Sequence, residues 1–284
     1  MSFKNYVIDV SNFSLQHTLN CGQCFRWNLS QSQNAVNAPV YQGVVEGFFA
    51  QVYQDGNSLH IASNAEADFW QKYFDLSTDY TLLNKALATN KTLLPAINAS
   101  KGLRILNQPI WECVISFIIS QNNNIPRIKK IIECLCQLYG KKIEINPSQS
   151  YSIEPIAYYT FPTANMLKGK DLSPIKAGFR DKYILDACDN WSRLGLDDIE
   201  HCNKMTTDEL RNRLMQIKGI GNKIADCVLL FAYNRMDVFP RDVWINRVVD
   251  TLYGNDADSD IASLGDFRGL AQQYMYHYYR NLVS

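Results

Sequence analysis

The chain has 284 residues, enough for one large or two modest domains, and its 46% hydrophobic and 20% charged content excludes a disordered protein. Its 28 Lys and Arg against 28 Asp and Glu leave no net charge, so any nucleic-acid site must be a local patch rather than a global field. No apolar run approaches the roughly 18 residues of a membrane span, and the opening MSFKNYVIDVSNF lacks the apolar core of a signal peptide. The protein is expected to stay in the compartment where it is made, away from membranes.

Eight cysteines in such a chain read as reduced thiols rather than bridges. Cys21-x-x-Cys24 has metal-like spacing, but no second such pair exists and His17 and His60 do not complete a zinc pattern. No cysteine follows Cys227, so a C-terminal iron–sulfur cluster is not expected either.

Residues 1 to about 80 read mainly as strands. Phe25-Arg26-Trp27-Asn28, Val40-Tyr41, Val44-Val45, Phe48 to Tyr53 and Leu59-His60-Ile61 are short aromatic or β-branched runs. Asn28–Asn37, Asp55-Gly56-Asn57 and single glycines separate them, the pattern of a twisted antiparallel sheet with hairpins. Gly22, inside the first of these regions, is expected to mark a bulge or a close approach of the backbone to something else. Ala65–Phe74 and Tyr80–Leu94 then turn helical.

From about residue 96 helices dominate. Trp111–Ser120 is apolar enough to be buried, and Asn122-Asn123-Asn124 stops it before Pro126 opens the next helix, Arg127 to Tyr139. Arg127, Lys129 and Lys130 oppose the dipole at that helix start, which suits a bound anion, although solvated cations are the plainer reading. Residues 143–165 read as irregular, with a helix start at Phe161-Pro162-Thr163. Lys176 to Tyr183 mixes basic and aromatic residues, a composition suited to following a nucleic-acid backbone and inserting a ring. A helix to Leu194 follows, and Thr206 with Glu209 forms a capping signal. After Arg247 come one more short helix, an acidic loop over Asn255–Asp260, and a last helix from Phe267 carrying Gln272 and Tyr276.

The densest chemistry lies between Leu214 and Arg247. Leu214, Ile217, Ile220, Ile224, Val228 and Phe231 recur at helical spacings that are interrupted at Gly219-Ile220-Gly221, so two helices over about 208–233 meet in a tight hairpin. The free N–H groups opening the second helix can hold a phosphate. Lys223 and Asp242 set an amine and a carboxylate on either side of that helix, a pair able to attack and stabilise an electrophilic carbon. An ordinary hairpin with a solvated lysine, and an aspartate that only caps the next helix, accounts for the same residues.

Leu214–Ile224 with Asp242 resembles the helix-hairpin-helix DNA glycosylase superfamily, and Lys223 matches the lysine of its bifunctional members. Cys21-Gly22-Gln23-Cys24-Phe25-Arg26-Trp27, Ser120 to Arg127, Gly178 to Tyr183 and Gly219–Cys227 look like the 8-oxoguanine DNA glycosylases in particular, so the resemblance covers nearly the whole chain. It implies an α+β architecture, with an N-terminal twisted antiparallel β-sheet domain with flanking helices over residues 1–95 and a mostly α-helical HhH-GPD glycosylase domain over 96–284. The implied activity is that of a base-excision repair enzyme, a bifunctional DNA N-glycosylase and AP lyase. Such an enzyme flips 8-oxoguanine, and also formamidopyrimidine-guanine, out of damaged double-stranded DNA with cytosine preferred opposite.

By position, the resemblance makes Lys223 the nucleophile and Asp242 the carboxylate that supports glycosidic cleavage. Cys227 and Tyr276 sandwich the flipped base, Gln272 meets its pairing edge, and the Gly22 carbonyl accepts from the N7–H that oxidised guanine has and guanine lacks. Asn122, Arg127 and Arg180 hold the orphaned cytosine, with Phe179 wedged into the stack. Gly219, Gly221 and Trp244 fall at the DNA backbone. Trp244 stands where familiar eukaryotic members have a histidine on the lesion's phosphate, and Phe179 and Tyr276 exchange ring types relative to them. No metal or organic cofactor is implied, a monovalent cation under the hairpin carbonyls aside. A monomer inside the cell is expected, in the nucleoid of a bacterium or the nucleus of a eukaryote. The rivals are a monofunctional alkylated-base glycosylase using Asp242 and water, a non-catalytic hairpin module that binds DNA, and a redox or zinc protein built on Cys21 and Cys24.

Overall fold

Strand β1 (Lys4–Asp9), β2 (Asn28–Leu29), β3 (Tyr41–Val45), β4 (Phe48–Asp55) and β5 (Ser58–Ser63) pair in the order β1-β5-β4-β3-β2, every neighbour antiparallel. The computed structural model describes residues 3–30, 38–145, 157–254 and 257–283. Glu46 and Gly47, at φ 50° and 83°, make the turn between β3 and β4, where two successive positive φ values match the right-handed twist of the strands. Trp27 fills the inner face of the sheet. Its ring lies 2.7 Å from where a Cβ on Gly43 would sit, so β3 needs a glycine there. The indole donates to the Tyr73 hydroxyl at 2.9 Å and meets Trp70 edge-on, both from helix α2 (Ala67–Tyr73).

The first loop departs from the sequence expectation. Helix α1 (Leu15–Asn20) precedes Gly22, and residues 21–27 form an irregular turn instead of a bulged strand. Phe25 and Trp27, which a strand would place on one face, enter different cores: Phe25 joins Cys21 in the helical core, and Trp27 joins Cys24 under the sheet. The helix expected over Tyr80–Leu94 is also interrupted. Helix α3 spans Tyr80–Leu87, a 3-10 turn follows, and α4 (Leu94–Ala99) restarts with Pro95 in its first turn, where the missing N–H costs nothing.

The helical body contains α5 (Ile110–Ser120), α6 (Ile125–Tyr139), α7 (Ala164–Leu167), α8 (Arg180–Leu194), α9 (Ile199–Asn203), α10 (Thr207–Leu214), α11 (Asn222–Ala232), α12 (Val243–Tyr253), α13 (Ala257–Ser263) and α14 (Arg268–Val283). Every residue from Cys113 to Ile119 is buried, so α5 is the central rod, packed by α6, α8 and α11. Phe117 of α5 stacks on Phe231 of α11 with ring centroids 5.5 Å apart. Tyr80, Leu87 and Leu93 also lie in this larger core, and α4 packs against α14.

Two further segments differ from expectation. Strand β6 (Lys142–Ile143) pairs with β7 (Tyr158–Tyr159) inside the stretch read as irregular, of which residues 146–156 lie outside the described residues. The acidic segment expected as a loop is helical from Ala257, because Ala257 and Ile261, one turn apart, are both buried; Asn255 and Asp256 lie outside the described residues. The architecture is α+β, an antiparallel sheet followed by a mostly helical body. Among the described residues no helix is long and apolar enough to cross a membrane.

Candidate active site

Residues from widely separated segments converge on one cavity of about 630 Å³, counted out to its open mouth. It is lined by Gly22 from the first loop, Lys223 and Cys227 from α11, Asp242 from the start of α12, and Gln272 and Tyr276 from α14. Lys223, Cys227 and Phe231 recur every four residues and so share one face of α11, as Gln272 and Tyr276 do on α14.

Gly219-Ile220-Gly221 separates α10 from α11. The capping box of Thr206 and Glu209 starts α10, and Gly221 is the N-cap of α11. Gly219 has φ 86°, open to a glycine but strained for any other residue. Nothing would meet a side chain at Gly221 within 4 Å, so the space in front of the α11 N-terminus is open. Lys223 Nζ lies 5.5 Å above the Phe117 ring, with its charge close enough to act on the Cys227 thiol. Burial pushes that thiol up to about 11, against the opposing pull of the Lys223 charge, so Cys227 presents an uncharged wall at neutral pH.

Asp242 caps α12, its Oδ1 accepting from the Ile245 N–H at 2.7 Å. Among the described residues no ion pair within 4.0 Å joins it to Lys223. Gln272 is 5% exposed, and its Oε1 is buried with no hydrogen-bond partner. Such an acceptor is costly to leave unpaired, by about 1–3 kcal/mol, and its place on the cavity wall marks where a ligand donor belongs. Tyr276 packs against Gly22, its ring 3.0 Å from where a Cβ would stand, and its hydroxyl accepts from Arg280 at 3.2 Å.

Gly22 sits at φ 79° in a turn whose shape Gln23 enforces. The wholly buried Gln23 side chain donates to the carbonyls of Thr18 and Arg104, both at 2.8 Å, and accepts from the Leu106 N–H at 2.9 Å. Gln23 belongs to the Cys21–Trp27 motif, and the resemblance assigns it no role. The signal was there: a glutamine amid cysteine, phenylalanine and tryptophan must be buried, and a buried amide must find partners.

At the rim, Asn122 and Arg127 are exposed, Asn122 in the left-handed region at φ 44°. Asn124 caps α6 by accepting from the Arg127 N–H at 3.0 Å. Phe179 is 51% exposed, with Tyr183 edge-on at 5.8 Å and the Arg180 guanidinium 4.4 Å above its ring. Arg180 is placed differently from the expectation. It is 4% exposed and gives its donors to the carbonyls of Gln121, Asn122 and Ala177, because a buried guanidinium must spend its fork on acceptors within reach. It braces the asparagine loop from beneath.

Trp244 also departs from its expected place. Its ring is half-buried against the helical core and its indole N–H is buried without a partner, so in this conformation the indole offers no exposed donor. Lys129 does not await an anion: its Nζ donates to the Trp27 carbonyl at 2.5 Å and to Asn28 at 3.1 Å, tethering α6 to the first loop. Cys21 and Cys24 are both buried free thiols, pushed up by burial, Cys21 to about 11. Thiolate chemistry is thereby disfavoured at this pair. Among the described residues no group of three or more His, Cys, Asp or Glu side chains is poised to hold a metal ion.

Residues 5–114 match the family model of the 8-oxoguanine DNA glycosylase N-terminal domain. The N-glycosylase/DNA lyase of Saccharomyces cerevisiae is 28% identical, over 92% of this chain and 74% of that relative. Among solved structures, MBOgg1 in complex with a low affinity DNA ligand is 35% identical with a TM-score of 0.87, covering 100% of both chains. The Clostridium acetobutylicum 8-oxoguanine glycosylase/lyase, in complex with double-stranded DNA containing cytosine opposite 8-oxoG, is 30% identical with a TM-score of 0.86, covering 100% of this chain and 99% of that one. The two structural likenesses run the full length of the sequence, and the chain belongs to the 8-oxoguanine DNA glycosylase/lyase family of helix-hairpin-helix glycosylases.

Proposed function

We propose that this enzyme removes 8-oxoguanine, and formamidopyrimidine-guanine, from duplex DNA with Lys223 as nucleophile. It is a DNA N-glycosylase and lyase that acts on 8-oxoguanine. The observation that carries the residue assignment is the meeting of Lys223, Asp242 and the unpartnered Gln272 acceptor on one cavity wall. An amine, a carboxylate and an unpaired acceptor around a slot walled in part by Phe117, Cys227 and Tyr276 suit a flipped purine with its pairing edge toward Gln272 and its C1′ toward Lys223.

The target base leaves the stack and Phe179 fills the gap, since no enzyme reaches C1′ inside a duplex. The base slides between Cys227 and Tyr276. The Gly22 carbonyl accepts the N7–H of the lesion, whereas guanine would set a lone pair against it, a difference of about 1–3 kcal/mol. The neutral Lys223 amine attacks C1′ as the C1′–N9 bond breaks, with the Asp242 carboxylate stabilising positive charge on the sugar. The ring opens to a Schiff base between Nζ and C1′. Loss of a C2′ proton then expels the 3′ phosphate by β-elimination, and water releases the lysine. Asn122 and Arg127 receive the orphaned cytosine. The enzyme works as a monomer in the compartment that holds the genome, with a monovalent cation under the hairpin carbonyls.

Borohydride should trap a covalent adduct between the enzyme and an 8-oxoguanine duplex, and Lys223→Gln should abolish it. Adduct formation that survives the substitution would assign the chemistry to another amine. Excision without trapping or strand cleavage would favour a water-using mechanism at Asp242.

A further inference from the structure

Helix α14 carries two consecutive glutamines that both border the cavity and differ in what they bond. Gln272 lines the cavity with its unpartnered acceptor. Gln273 is 2% exposed, and its Nε2 donates to the Cys21 carbonyl at 2.6 Å. That carbonyl belongs to the peptide unit joining Cys21 to Gly22, so the bond fixes the plane from which Gly22 starts. On the other side of Gly22, Gln23 is held by its own side-chain bonds to Thr18, Arg104 and Leu106, and its carbonyl accepts from Gln108 at 2.7 Å. Glycine at φ 79° has the widest conformational freedom of any residue. Its carbonyl can hold one direction only if both flanking units are fixed, and the Gln273 bond supplies the hold on one side.

We propose that Gln273 is a positioning residue for base selection: acting through the Cys21 carbonyl, it aims the Gly22 carbonyl at purines that carry a proton on N7. This rests on the reading of Gly22 and Lys223 given above. Gln273 borders the cavity but gives its amide donor to the turn, so it acts on recognition and leaves the chemistry of Lys223 alone. A hydrogen bond that merely fastened α14 to the first loop would affect every reaction of the enzyme alike. A bond that aims Gly22 affects excision of an intact lesion and spares cleavage at a preformed abasic site, where no base remains to be read.

The test is Gln273→Met, which keeps the volume and removes the donor, beside Gln273→Asn, which keeps an amide one methylene short. Both are assayed at a temperature well below their own unfolding transitions. Single-turnover excision of 8-oxoguanine opposite cytosine should fall about tenfold in Gln273→Met and by less in Gln273→Asn, the range expected for one buried bond lost in the reacting complex. Cleavage of a preformed abasic duplex should stay within about twofold of the parent enzyme in both. Equal losses in the two assays, or no loss in either, would overturn the proposal. A variant that cannot be obtained folded would also overturn it, since the bond would then be a general structural fastening. Parent enzyme that gives no borohydride adduct would instead overturn the assignment of Lys223 and leave the excision-to-cleavage comparison to judge Gln273.

Discussion

Tyr183 lies so close beneath Gly219 that a methyl group at Gly219 would overlap its ring. The same ring stands edge-on to Phe179 at 5.8 Å. One side chain of α8 therefore joins the hairpin that opens α11 to the ring at the tip of the neighbouring loop. The hairpin and the Phe179 tip are thereby mechanically linked.

Gly219→Ala should weaken both folding and DNA binding, since it forces a side chain into φ 86° and against Tyr183. A loss on the order of 2–4 kcal/mol in stability is expected. Tyr183→Ala in the same chain should recover part of it by removing the overlap, so the two changes would be non-additive in a denaturant cycle. Additive losses would show that the backbone strain alone matters.

Asp242 caps α12 and, in the proposed mechanism, stabilises charge on the sugar, and substitution can separate the two. Asparagine caps a helix about as well as aspartate, so Asp242→Asn should keep the bond to Ile245 N–H and change stability by less than about 1 kcal/mol. Removing the charge should slow excision by roughly 100-fold or more. Asp242→Ala should lose excision similarly and a further 0.5–2 kcal/mol or so of stability. Thermal unfolding beside single-turnover kinetics distinguishes the two losses.

The exposed rim should decide the opposite base without contributing to the fold. Arg127→Ala is expected to reduce the preference for cytosine over adenine opposite the lesion by about tenfold, with an unfolding midpoint unchanged within error. Phe179→Ala, at a half-exposed site, should weaken binding to lesion duplexes while leaving stability within about 0.5 kcal/mol. Excision rates against the lesion paired with each of the four bases make the measurement. Unchanged preference in Arg127→Ala would remove that residue from recognition.

Acid should loosen the seam between α1, α4 and α14. His277 is held down to about 4 by burial and by the neighbouring His17, whose ring centroid is 4.7 Å away. Ser100 and Asn281 contact its two ring nitrogens at 3.0 and 3.2 Å. The folded pKa lies below the unfolded value of about 6.5, so the unfolded chain binds the proton first. This contribution is present in full above about pH 6.5 and is lost as pH falls toward 4, with a slope of up to roughly 1.4 kcal/mol per unit. Urea unfolding from pH 7.5 to 4.5 should show that slope in the parent chain and lose it in His277→Gln. The difference between the two chains cancels the titration of distant carboxylates.

Most of the helical body and the hairpin were legible because their signals are local. The Leu214 to Phe231 period, the Thr206–Glu209 capping box, the Asp242 cap and the Pro126 start each act within one or two turns, and each forms in the structure. The sequence by itself also brought Gly22, Lys223, Cys227, Gln272 and Tyr276 under suspicion. Lys223 stands out by its own chemistry, whereas Cys227, Gln272 and Tyr276 enter only through resemblance, since nothing local connects residues 22 and 272. Tertiary structure alone decided how the suspects are used. Residues 21–27 became a turn because their side chains divide between two cores. Arg180 was turned inward to three carbonyls and the Trp244 N–H was buried, since the position of acceptors contributed by other segments is invisible along the chain. The bond from Gln273 to Cys21 spans 252 positions. No periodicity or capping rule reaches that far; only the packing of α14 against the first loop brings donor and acceptor together, and burial then makes the bond obligatory.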